Sequence, residues 1–157
     1  MKIKLLYIGK TDKKSLRELI AKYTKRIDNF VSFELIEIND VKHTKNLTNR
    51  QQKDKEGKLV LERLQPSDYV VLLDEKGKGF TSRSFADFLQ QKMNSGIKNL
   101  VFVIGGPYGF SQDLYQRATM QLALSTMTFS HQLVRVIFLE QLYRGLSILR
   151  NHPYHHD

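Results

Sequence analysis

The chain has 157 residues, 41% of them hydrophobic, so it is about one domain long and can bury a core of its own. It has no cysteine, which excludes a disulfide framework, a thiolate metal site and a cysteine nucleophile. Twenty-five basic against 16 acidic residues leave a net charge of +9, which suits a polyanionic partner such as nucleic acid. All 16 lysines lie at or before Lys98, and the four basic residues beyond it, Arg117, Arg135, Arg144 and Arg150, are arginines. Lysine gives a diffuse, salt-sensitive field, whereas arginine offers a planar fork for specific contacts and partly buried ion pairs. The opening "MKIKLLYIGK" is too short in apolar residues for a signal peptide core, and no apolar run approaches the roughly 20 residues of a membrane span. A cytoplasmic protein without membrane association is the expectation.

In chain order, "KIKLLYI" and "SFELIEI" read as strands, with "KKSLRELIAKYTKRI" between them carrying Leu16, Leu19, Ile20 and Tyr23 at helical spacing. Residues 40 to 58 are the most polar and lysine-rich segment, expected to begin as a loop and to be helical by "GKLVLERL". "DYVVLLDE" is a buried-type strand closed by "KGKGF". "TSRSFADFLQQKMNSG" is a helix with hydroxyl caps at its start and Gly96 at its end. "NLVFVIGG" is the next strand, "SQDLYQRA" a short helix, "MQLALS" a last strand and "HQLVRVIFLEQLYRGLSILRN" a long helix. Alternation of strands and helices predicts a single α/β domain over 1–157, a mostly parallel sheet with helices on both faces. The last helix is apolar nearly all round. It is therefore expected to bury one face on its own sheet and another against a second copy of the chain, with Leu139 and Leu146 among the interface positions; a central helix in a monomer is the alternative.

Three apolar strands end in loops of special chemistry: "LLDEKGKGF", "VIGGPYGF" and "LALSTMTFSHQ". In parallel α/β sheets ligands sit beyond the carboxyl ends of the strands, so the three loops predict one pocket. "GGPYG" lacks both the dinucleotide fingerprint and the P-loop ending, and alone is compatible with a tight turn. In "STMTFSHQLVR" the hydroxyls of Ser125, Thr126, Thr128 and Ser130 are available as ligands or caps, and His131 and Arg135 are expected on one helix face. No carboxylate there completes a Ser-His-Asp relay, and Glu140 and Arg144 have the spacing of an ordinary helix ion pair. The tail "NHPYHHD" gathers three histidines beside Tyr154. A lid over a site or a nucleic-acid contact is preferred to a metal centre, and no metal is expected.

Taken together, "LDEKGK", "VFVIGGPYG", "LSTMTFSHQLVRVIFLEQLYRG" and "NHPYHH" resemble the RlmH family of bacterial ribosomal RNA methyltransferases, within the SPOUT superfamily, end to end in length and motif order. The resemblance implies a SPOUT-type fold with a C-terminal trefoil knot, a homodimer through the C-terminal helix, and S-adenosyl-L-methionine as methyl donor. It implies as substrate a pseudouridine in helix 69 of 23S rRNA, methylated at N3 within the assembled ribosome. By motif it implies cofactor binding by Leu73, Gly105 and the run Leu124, Ser125, Thr126, Met127, Thr128 and Phe129. Because the imide proton must leave, His131 and Arg135, with Tyr154 and His155 from the tail of either protomer, are the candidate catalytic residues. The competing reading is a non-catalytic ribosome or RNA-binding protein of the same fold, which would not bind the cofactor.

Overall fold

Five apolar runs become strands: β1 (Lys2–Ile8), β2 (Phe33–Ile38), β3 (Tyr69–Gly79), β4 (Asn99–Ile104) and β5 (Met120–Ala123). In the computed structural model, which describes residues 1–156, they form one sheet in the order β2-β1-β4-β3-β5, with every neighbouring pair parallel. The alternation of side chains explains why these strands read as unbroken apolar runs. On β4, Leu100, Phe102 and Ile104 enter the core on one face while Val101 and Val103 enter the core on the other. Helices α1 (Lys14–Asp28), α3 (Ser82–Asn94) and α5 (Leu133–Leu149) cover the first face, and α2 (Asn49–Leu61) and α4 (Gln112–Arg117) the second. The expected layering is what the chain adopts. Among the described residues no helix is long and apolar enough to cross a membrane.

One local feature refines the expectation and two depart from it. Helix α2 starts at Asn49, well before "GKLVLERL", because Thr48 and Gln51 close a capping box: the Gln51 N–H donates to Thr48 Oγ1 at 3.1 Å and the Thr48 N–H to Gln51 Oε1 at 2.9 Å. Strand β3 does not end at the acidic pair. Leu73 and Lys78 both stand opposite Leu122, so residues 74 to 77 bulge out of the sheet before the strand rejoins β5. Gly77 makes the return possible, since a Cβ there would lie 2.5 Å from the backbone of Gln121 and Leu122.

The third feature is α5, which meets most of its burial inside the one chain. It lies on the sheet between α1 and α3, with the Phe138 and Phe102 ring centroids 4.7 Å apart and Gly145 admitting Leu89 and Phe85 of α3. Leu139 and Leu146, expected at an interface with a second copy, are instead fully buried in this core. The face of α5 left partly open carries Leu133, Ile137, Gln141, Arg144 and Ile148, of which Leu133 is the most exposed at 42%. Periodicity alone could not say which of its apolar sides meets the sheet.

Candidate active site

Strand β3 bulges where β4 and β5 are ending, Leu73 standing opposite both Ile104 and Leu122, so the bulge and the loops after β4 and β5 open onto one edge of the sheet. Between these loops lies a cavity of about 600 Å³, large enough for a nucleoside-sized ligand. Of the expected cofactor residues, Leu73, Gly105, Leu124, Ser125, Met127, Thr128 and Phe129 line it, and His131 stands at its edge. Thr126, exposed, is not among the residues that line it.

The glycine loop is a backbone structure. The Gly109 N–H donates to the Gly106 carbonyl at 3.1 Å, and Gly109 adopts φ +83°, a conformation that favours glycine. At Gly105 a Cβ would press on the Phe110 ring at 3.1 Å and the Gly109 carbonyl at 3.3 Å, so a side chain there would crowd the returning arm of the same loop. The hydroxyls of the third loop are largely spent on its own fold. Ser125 Oγ accepts from the Met127 N–H at 3.0 Å, Ser130 Oγ from the Leu133 N–H at 3.3 Å, and Thr128 donates to Glu75 Oε2 at 3.0 Å, tying the third loop to the first.

The bulge after Leu73 supplies the cavity's charge. Asp74 accepts a short hydrogen bond from the Tyr115 hydroxyl and another, 2.8 Å long, from the Lys76 N–H. Burial, then the bond to Asp74, then the charges of Asp74 and Glu75 push the Tyr115 phenol up to about 12, so it is a fixed neutral donor. Asp74, Glu75 and Tyr115 were not singled out from sequence, although the acids stand inside a loop that was; their signal was the strand that continues past them.

The candidate catalytic residues divide. His131 lies in a turn before α5, exposed, and Gln132 precedes the first helical residue, so His131 and Arg135 do not share a helix face as expected. Arg135 points away from the cavity and is 1% exposed. It donates to Thr11 Oγ1 at 2.8 Å and to the Ile8 carbonyl at 2.7 Å, and lies 4.1 Å from the centre of the Tyr7 ring. Together with the paired bonds between Gln132 and Asp12, it bolts the start of α5 to the loop after β1. Tyr154 and His155 sit at the far end of α5, a helix of 17 residues and so about 25 Å long. There Tyr154 donates to Glu140 at 3.1 Å and meets the Tyr23 hydroxyl at 3.3 Å, and Arg144 contacts His155 Nδ1 at 3.3 Å. One chain alone therefore brings His131 to the pocket and leaves Arg135, Tyr154 and His155 outside it. Among the described residues no cluster of metal-ligating side chains forms.

A parallel α/β sheet with a glycine-built pocket across three adjacent strand ends is the arrangement in which α/β proteins hold ligands. The chain matches the family described as "Predicted SPOUT methyltransferase" over residues 1–155. It is 59% identical to the ribosomal RNA large subunit methyltransferase H of Flavobacterium psychrophilum and 59% identical to that of Flavobacterium johnsoniae, in each case over 157 residues and 100% of both chains. It is 54% identical to the protein of the same name from Parabacteroides distasonis, again over 100% of both chains. The chain belongs to the SPOUT methyltransferase family.

Proposed function

We propose that this chain is a ribosomal RNA methyltransferase that uses S-adenosylmethionine to methylate N3 of a pseudouridine in helix 69 of 23S rRNA. In this reading it is a single-domain, cytoplasmic homodimer acting on the assembled ribosome, its C-terminal segment tied in the trefoil knot that the family resemblance implies. The observation that carries the reading is the glycine-built pocket at the ends of β3, β4 and β5, in a chain alike over its full length to relatives named ribosomal RNA large subunit methyltransferase H.

The residues present fit an adenosyl group and a sulfonium. Leu73, Ile104 and Leu124 offer apolar surface for a flat ring, the backbone around Gly105 and residues 124 to 129 offers polar partners for its edge, and Asp74 and Glu75 offer negative charge to a cation. When bound, the cofactor supplies an electrophilic methyl carbon, the electron pair of the broken carbon–sulfur bond staying with sulfur. The protein's part is to orient the base, exclude water and take the proton from N3. His131, exposed at the pocket's edge, is the base in this reading. Arg135 holds the turn that carries it. Tyr154 and His155, a helix length away, reach the pocket from a second copy whose α5 packs antiparallel against the open face at Leu133, Ile137 and Ile148.

The lysine-rich segments supply the RNA grip. Residues 10 to 26 hold seven basic and two acidic residues, and residues 42 to 63 seven and three. Lys10, Lys13, Lys14, Lys22, Arg50, Lys55 and Lys58 are exposed. Replacing Arg50, Lys55 and Lys58 with glutamate is expected to weaken ribosome association at moderate salt and leave cofactor affinity unchanged, measured by sedimentation and by calorimetry. The test of the function is methyl incorporation from labelled S-adenosylmethionine into 70S ribosomes, large subunits and naked 23S rRNA. Strong labelling of ribosomes carrying pseudouridine and weak labelling of naked RNA is expected. Equal labelling of naked RNA removes the ribosome requirement, and no labelling together with no cofactor binding favours the non-catalytic reading.

A further inference from the structure

A second cavity, of about 480 Å³, lies between α1 and the β2-β1 edge of the sheet. Strand β2 is an edge strand, and the face it turns to α1 is covered only in part. Phe33 and Leu35 are half-buried and Glu37 is exposed, whereas Ile3, Leu5 and Tyr7, which stand opposite them on β1, are buried. Helix α1 supplies the facing wall, because Arg17, Ile20, Thr24 and Asp28 recur at helical spacing.

The lining suits a flat polar molecule. Ile20, Phe33 and Leu35 offer apolar surface on which a ring can lie, and Arg17 and Lys25, both exposed, stand on the rim. Arg17 is held there by the Thr11 and Asp12 carbonyls, to which its Nη1 donates at 3.0 Å and 2.5 Å. Glu37 accepts from the Tyr7 hydroxyl at 3.4 Å, long for an O–H donor, so most of its accepting capacity is unused. Thr24 Oγ1 is buried with no hydrogen-bond partner, a penalty that a polar group on a bound molecule relieves once the hydroxyl turns to meet it.

These groups select among bases. An ionised carboxylate only accepts, and among the RNA bases guanine alone presents two adjacent N–H donors, at N1 and N2, while each of the others sets an acceptor beside its donor. The rim continues into exposed Lys10, Lys13, Lys14 and Lys22, more positive charge than one phosphate uses, which fits a strand rather than a free nucleotide. The cleft also adjoins the main pocket. Tyr7 stands opposite Ile104, which lines that pocket, and Arg135 lies 4.1 Å from the centre of the Tyr7 ring.

We propose that the cleft between α1 and β2 is a second RNA site, one that takes an unpaired guanosine of the ribosomal RNA. Glu37 accepts from the guanine N1–H and N2–H, and Arg17 and Lys25 hold the flanking phosphates. The inference rests on the function proposed above for its RNA, but binding at the cleft is measured without methyl transfer.

The test is an NMR titration of the full-length protein, its main pocket filled with S-adenosylhomocysteine, against GMP and the single-stranded oligoribonucleotides UUGUU and UUUUU. UUGUU is expected to shift the backbone amides of Tyr7, Thr24 and Glu37 and to bind about tenfold or more tighter than either UUUUU or GMP at low salt. Glu37→Gln, a change at an exposed position, is expected to remove the preference for UUGUU over UUUUU and to leave S-adenosylmethionine affinity within about twofold of wild type. Equal binding of UUGUU and UUUUU by wild type overturns the proposal, as does an undiminished preference in folded Glu37→Gln. Shifts confined to other surfaces overturn the site, and GMP binding as tightly as UUGUU overturns RNA as the source. If Glu37→Gln does not fold, the wild-type preference and the position of its shifts decide. A chain that shows the preference but transfers no methyl group to ribosomes keeps the site and loses the function; one that methylates without the preference loses the site alone.

Discussion

Helix α5 joins two regions of opposite construction. At its start the pocket is built from backbone: Gly105, Gly106 and Gly109 line it, and the hydroxyls of Ser125 and Ser130 are consumed by turns. At its end the tail is built from side chains. Glu140 accepts from Arg144 Nη2 at 2.5 Å, from Arg144 Nε at 3.1 Å and from the Tyr154 hydroxyl, while Tyr154 packs edge-on against Tyr143 and Arg26 stands over Tyr143. A backbone-built site is intolerant of a single added atom and indifferent to which polar groups surround it. A side-chain network tolerates substitution but depends on charge and protonation. The glycine pocket can thus be broken sterically and the tail electrostatically, with the 17-residue α5 between them.

The largest effect is expected on that core face. Leu139→Asp buries a charge in a position with no exposure and should cost about 4 kcal/mol or more, leaving unfolded chain. Ile137→Asp with Ile148→Asp, on the open face, should cost less than about 1 kcal/mol of chain stability per site yet yield monomers by light scattering and abolish methyl transfer. A stable, active dimer in the double variant removes the proposed interface and with it the route by which Tyr154 reaches a pocket.

Next come the glycines of the β3 bulge and of the pocket. Gly77→Ala meets backbone on β5, which cannot swing aside, and should cost about 2–4 kcal/mol by thermal unfolding. Gly105→Val meets the Phe110 ring and the Gly109 carbonyl, the first of which can turn a little. Its cost should be about 1–3 kcal/mol, with cofactor affinity lowered about tenfold or more as the loop is displaced. Calorimetric titration with S-adenosylmethionine checks the second. Wild-type affinity in a folded Gly105→Val variant would place the adenosyl group elsewhere.

How much of this was readable beforehand follows the same division. The strand pattern and the convergence of three loops were legible because a parallel sheet buried on both faces writes continuous apolar runs and puts its ligands at the strands' carboxyl ends. The capping box at Thr48 is written in the sequence too, as T-x-x-Q, inside a polar run. What spacing could not reveal was direction. Arg135 follows His131 by four residues, but the helix begins at Leu133, so the two are not on successive turns, and Arg135 reaches back to Thr11 and Ile8 across the whole chain. Leu139 and Ile137 are chemically alike and only the contact with the sheet distinguishes them. The burial of Glu56 on α2 carried no local signal at all, since a carboxylate among lysines reads as a solvated surface until the glycine loop is seen to cover it.

The smallest expected effect lies where the pocket does contain a side-chain bond. Tyr115 and Asp74 hold the bulge after Leu73, and the Tyr115 phenol, ordinarily near 10, is pushed up to about 12, mainly by burial and then by Asp74. A raised phenol pKa means that the folded chain keeps its proton when the unfolded chain has begun to lose it. The contribution is therefore whole below about pH 10, and declines as pH rises from there through about 12. Tyr115→Phe should lower stability by about 1 kcal/mol at neutral pH, because Asp74 loses a donor, and should flatten the alkaline decline. Thermal unfolding of both proteins from pH 8 to 11 measures this, with tyrosinate absorbance to show one late-titrating phenol fewer in the variant. The bulge is then expected to loosen without collapsing, since Lys76 N–H still donates to Asp74 at 2.8 Å and Thr128 still donates to Glu75 at 3.0 Å. Equal alkaline decline in the two proteins would mean that the phenol does not hold the acidic wall of the pocket in solution.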